Sequence, residues 1–165
     1  MHPTIVPSTE SAPENCRPPV SAVLTVCALT SFALALLHVV CLFTGEATAR
    51  FFTAPPVVLA LIRQKSLLIF PVCLVIAGTL GIFGLYAWAG AGRMRPLPLL
   101  RTGLVAVGVI YTLRGLALVP QVLVALRRPG LFPSQVFVFS AVALGLGLAH
   151  LLGSSARWPA LKPAG

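Results

Sequence analysis

The chain has 165 residues, of which 58% are hydrophobic and 9% charged, with a mean hydropathy of +0.97. That composition lies far outside the soluble range and points to a single membrane-embedded domain. Twelve Lys and Arg against three acids give a net charge of +9. The cations are scattered singly or in pairs without stacking aromatics between them, which suits anionic headgroups and argues against nucleic acid.

In chain order, residues 1–18 carry Pro3, Pro7, Pro13 and Pro18 among Ser, Thr and Glu, and read as a disordered tail. An uncharged stretch from Pro18 to Gly45 follows and predicts a first span over 20–44. Ala47-Thr48-Ala49 resembles a signal cleavage site, but the tail has no basic region and the apolar stretch is too long, so a retained span is expected. The twelve uncharged residues Phe51–Ile62 are too few to cross, and predict an interfacial or re-entrant segment over about 54–64. Thr53 is its candidate N-cap and Pro55-Pro56 its start. Further spans are predicted over 66–91, 102–126 and 133–156, with a C-terminal tail over 157–165. The expected fold is all-α: a four-helix transmembrane bundle with one short helix between the first and second spans.

Six cations fall on one side (Arg17, Arg93, Arg95, Arg101, Arg157, Lys162) and five on the other (Arg50, Arg63, Lys65, Arg127, Arg128). The dense Arg93–Arg101 link tips the positive-inside rule toward cytoplasmic N- and C-termini. In the fourth span Ala141, Gly145, Ala149 and Gly153 recur every four residues, and the second span offers Gly78, Gly81 and Gly84. Small residues at such spacing let helices approach closely, so both sets are expected at helix contacts, within the chain or between two copies. The four cysteines form no C-x-x-C pair; Cys27, Cys41 and Cys73 are expected to pack as small apolar residues, with a Cys41–Cys73 bridge the other reading.

Arg114 lies thirteen residues from both Arg101 and Arg127, with no charge between. On a continuous helix that is ~20 Å from either neighbour, near the middle of a span. A fixed cation there costs ~3 kcal/mol on insertion scales, and no acid lies in any span to offset it. Tyr111 and Gln121 share its helix face. Pro120 cannot donate to the Leu116 carbonyl, so a kink is expected nearby. The strip suits an anionic group such as a lipid phosphate, a carboxylate or a transported anion. Equally, it suits an arginine satisfied by neighbouring helices, or one that snorkels through a thinned leaflet.

His38 shares a face with Cys27, Ser31 and Cys41, and His150 lies near Gly147; each reads first as a hydrogen-bonded packing residue and second as a polar site. They are expected in opposite leaflets, too far apart to share a metal, and neither a metal nor a cofactor is expected. Glu46, with Arg50 four residues on, predicts a helix-end ion pair, or an acid drawn into the mouth of the bundle. Paired carboxylates, a nucleophile beside a base, H-E-x-x-H and a phosphate-cradling glycine loop are all missing, so no enzyme class is supported.

Several segments carry a resemblance: Arg50-Phe51-Phe52-Thr53-Ala54-Pro55, Gly84-Leu85-Tyr86-Ala87 with Gly90-Ala91-Gly92, Arg95-Pro96-Leu97-Pro98-Leu99-Leu100-Arg101, and Tyr111-Thr112-Leu113-Arg114-Gly115-Leu116. Over about 50–120 the chain resembles a group of small bacterial four-helix inner-membrane proteins to which no activity is assigned. The resemblance implies an inner-membrane location and supplies no catalytic residue. The expected function is a non-enzymatic bundle binding anionic membrane lipid or a partner membrane protein, with a homo-oligomer through the fourth-span ladder as one expected arrangement. A small anion transporter or channel using Arg114 is the alternative, and an enzyme acting on lipid a distant third.

Overall fold

The computed structural model describes residues 19–95 and 97–158. The expected tail over 1–18 lies outside the described residues, as do 159–165. Six helices follow in order: α1 (Pro19–Phe51), α2 (Pro56–Arg63), α3 (Ile69–Gly90), α4 (Leu100–Leu116), α5 (Leu118–Arg127) and α6 (Ser134–Ala156). The described chain is all-helical, with α4 and α5 forming one broken span. Four stretches are long and apolar enough to cross a membrane: α1, α3, α4–α5 and α6. They fit a multi-pass membrane protein, and so does their surface. Leu36, Phe43, Leu67, Val75, Leu126 and Leu152 are each more than 60% exposed. A water-facing monomer does not tolerate such an apolar belt.

Two breaks shape these spans. Gly45 adopts φ 79°, ψ −161°, inside α1. That region is open to glycine and closed to most side chains, so the helix bends there and only its 19–44 part is straight. The third span breaks at Ala117, which has φ −57° and ψ −18°. Pro120 explains the position: without an N–H it leaves the Leu116 carbonyl unpaired, and the helix restarts so that Pro120 falls in the first turn of α5, where no donor is needed.

The four spans alternate in direction, and they pack as two tight antiparallel pairs, α1 with α3 and α4 with α6. The α4–α6 contact is nearly backbone to backbone: a Cβ on Gly115 would meet the Leu144 backbone, and one on Gly147 would meet Thr112. Contacts between the pairs are fewer, and α3 and α5 scarcely touch. Leu24, Ala89, Ala91, Leu100 and Leu104 form one buried cluster. A second holds Cys27, Ala28, Ala87, Val107, Tyr111 and Leu146. Both lie between the middle of the bundle and the end carrying the α3–α4 link, here the Arg101 end. That end is pinned by polar contacts as well. Arg101 Nη2 donates to the Trp158 carbonyl at 2.8 Å, and Arg157 Nη1 donates to the Gly90 carbonyl at 2.7 Å.

Within the chain, only part of the two expected sets meets a neighbouring helix. Nothing lies within 4 Å of a Cβ built on Gly78, Gly81 or Gly145, and Ala141 is exposed. Of the two predicted sets, Gly84 packs against Phe32, Gly153 against Leu24, and Ala149 against the second cluster. Steps of four residues drift by about 40° each on a 3.6-residue helix, so a four-membered ladder turns through about 120° and cannot keep one face.

Candidate functional site

Toward the opposite end, named here for α2, the two pairs diverge around a cavity of about 520 Å³. Its walls are apolar side chains of α1, α3 and α6, including Leu37, Val72, Ile76 and Val142. Its roof is the segment around α2, with Phe52, Pro55 and Val58 facing inward. Phe52 packs on Phe139 of α6 at a ring separation of 5.7 Å, which closes the α1–α6 side. On the α3–α4 side Phe83 meets Tyr111 at 5.6 Å, and both rings line the deep end of the cavity.

The roof is held by Glu46. Its Oε1 accepts from Arg50 at 2.6 Å and from Arg63 Nε at 2.7 Å, which ties the end of α1 to the last turn of α2. The i,i+4 pair expected from the sequence therefore has a third member, and Glu46 is engaged at the rim instead of reaching toward Arg114. Glu46→Gln is expected to speed hydrogen exchange across α2 relative to α3, with the global fold kept. Unaltered α2 exchange would show that apolar contacts alone hold the roof.

Arg114 lies in the last turn of α4 and lines the cavity. Its Nη1 donates to Ser140 Oγ over a long 3.4 Å, and Ser140 donates to Gln121 Oε1 at 2.9 Å. Ser140 is fully buried, while Arg114 as a residue is exposed. Guanidinium carries five N–H donors, so one long bond to a neutral hydroxyl leaves most of its capacity open. Ser140 sits six residues into α6, ~9 Å from the helix start by rise per residue. The side chain thus carries its charge toward the α2 end, shallower than the ~20 Å that counting along an unbroken helix suggests.

Tyr111 lines the same cavity as Arg114; it is buried, and its hydroxyl hydrogen-bonds Ser31 at 3.0 Å. Its ring lies 5.6 Å from that of His150, which is fully buried. His150 Nδ1 lies 2.8 Å from the Leu146 carbonyl, an acceptor, so Nδ1 carries the proton; Nε2 is buried without a partner. Ser31, Tyr111 and His150 form a polar floor beneath the cavity. His38 donates to the Leu34 carbonyl at 2.8 Å and lines the cavity wall, on a separate level from His150. Cys41 and Cys73 are free thiols on the same wall. Among the described residues no group of three or more His, Cys, Asp or Glu is placed to hold a metal ion.

Ser140 did not emerge from the sequence, and Ser31 emerged only as a residue on the His38 face, not as the partner of Tyr111. A signal for Ser140 exists. Gln121 is six residues before Arg127, the end of α5, and Ser140 six after Ser134, the start of α6. Antiparallel packing across that link puts the two at one depth, beside Arg114. No such rule marks Ser31.

No family model matches the chain, and no curated protein or solved structure is found similar to it.

Proposed function

We propose that this protein is a non-enzymatic lipid-binding bundle of the bacterial inner membrane, with Arg114 as the anchor for an anionic group. One observation carries the reading: a permanent cation with no acid near it opens onto an apolar cavity inside a candidate membrane span. A cation in that setting lowers its free energy by meeting an anion, and ligand sites commonly pair an apolar pocket of ~300–1,000 Å³ with a few polar groups. The inner-membrane location rests on the sequence resemblance, and cytoplasmic termini rest on the cations at the Arg101 end.

An anion transporter using the same charge is the second reading. Against it stands the floor of the cavity, where the Tyr111–Ser31 bond, His150 and the core below fill the way to the other end. A partner membrane protein or a second copy would use the outward Ala141–Gly145 face of α6, where Ala141 is exposed and a Cβ on Gly145 meets no described residue within 4 Å.

Native mass spectrometry of the full chain extracted in mild detergent tests the main reading. Retained anionic lipid, lost on Arg114→Gln, is expected. A bare protein mass, or retention indifferent to Arg114, would overturn it. Anion flux in reconstituted vesicles that Arg114→Ala abolishes would favour the transporter instead.

A further inference from the structure

We infer that the cavity beneath α2 is the seat of one long-chain fatty acid, its carboxylate on Arg114 and its chain running under the α2 roof. The inference rests on the lipid-binding reading and specifies the class of lipid.

Three observations favour a single-chain carboxylate. The first is charge. The titratable side chains lining the cavity are His38, Cys41, Cys73, Tyr111 and Arg114, and only Arg114 is permanently charged. Its guanidinium, held by one long bond to Ser140, presents the fork that matches a carboxylate bidentately.

The second is shape. Along α3 the lining runs from Ile69 to Phe83, fourteen helical steps or ~21 Å, against ~15 Å for half of a bilayer's hydrocarbon core. A slot about one leaflet long, closed by Phe52 and Phe139 on one side, accommodates a single extended chain. The way in is the other side, where α3 and α5 scarcely touch and the cleft faces lipid tails.

The third is depth. Arg114 bonds at the level of Ser140, ~9 Å inside the start of α6, where a phosphodiester headgroup would have to be dragged from the interface with its charge intact. A carboxylic acid avoids that cost. It enters the tails as neutral RCOOH, sheds its proton to water at the α2 end, and remains as RCOO⁻ on the guanidinium. An opposite charge at contact distance favours that ionised form. Phosphodiesters have no neutral form to use at ordinary pH.

The test uses the full chain in nonionic detergent, titrated with ¹³C-carboxyl palmitate, hexadecanol and a lysophosphatidylglycerol of equal chain length. Palmitate is expected to bind at least tenfold more tightly than hexadecanol, with its carboxyl signal in the ionised position. Arg114→Gln should bring the two within about threefold. Ala143→Phe, which fills the cavity wall while leaving the Arg114 charge in place, should weaken both. Circular dichroism and the fluorescence of Trp88 establish that each variant is folded. Equal binding of palmitate and hexadecanol by the native chain overturns the inference. So does lysophosphatidylglycerol outcompeting palmitate with the same dependence on Arg114, and in that case the general lipid-binding reading survives. Failure of all three ligands, with no lipid retained in native mass spectra, removes both.

Discussion

Gly147→Ala is expected to disrupt the α4–α6 pair, whereas Gly145→Ala two residues away is expected to be tolerated. A Cβ at Gly147 meets the hydroxyl and backbone of Thr112, and the Thr112 hydroxyl is itself committed to the Gly108 carbonyl at 2.7 Å. Backbone cannot swing aside as a side chain does, so the helices must separate. Overpacking of this kind costs ~1–3 kcal/mol, and contact with main chain puts the case at the upper end. At Gly145 nothing lies within 4 Å, and the change should stay within ~1 kcal/mol, with the better helix propensity of alanine in its favour. Thermal unfolding of the two variants in the same detergent measures the difference. Equal midpoints would mean that α4 and α6 are not in backbone contact.

Arg114→Leu is expected to stabilise the protein while removing its ligand. A lone cation costs ~3 kcal/mol at the centre of a span on insertion scales and less at the shallower level of Arg114, and leucine lifts that penalty. Little is lost in exchange, because Ser140 and Gln121 remain bonded to each other at 2.9 Å without the guanidinium. The expected result is a raised unfolding midpoint, together with loss of retained lipid. If arginine served only to fix the register of neighbouring helices, the same change would lower the midpoint. The two roles are thus separated by the sign of one measurement.

What the sequence reveals here depends on whether a feature is set by one helix or by two. Charges at Arg63–Lys65, Arg93–Arg101 and Arg127–Arg128 bracket the apolar runs, so the four spans and the short helix between the first two could be read directly. Pro120 likewise announces a break in its own helix, because the missing N–H acts four residues back, at Leu116. Facing is another matter. These helices are apolar on every side, so no stripe tells which face meets protein and which meets lipid. For that reason Gly78 and Gly145 looked equivalent to Gly84 and Gly153, although only the latter two meet another helix of this chain. At the candidate site, the single charge was legible from its spacing. Its partner Ser140, the bond of Tyr111 to Ser31, and the engagement of Glu46 by two arginines depend on how separate elements meet.

The division of the bundle into two antiparallel pairs has a bearing on its biogenesis. Each pair is contiguous in the chain, 19–90 and 100–156, so each is complete as a helical hairpin before any contact across the seam is needed. Domains and hairpins made of near neighbours assemble early, during synthesis, and distant surfaces join afterwards. The pocket belongs to the surface that joins last. A nascent N-terminal hairpin would wait in the bilayer with its inner wall against lipid tails, and the second hairpin would close over whatever chain already lay there.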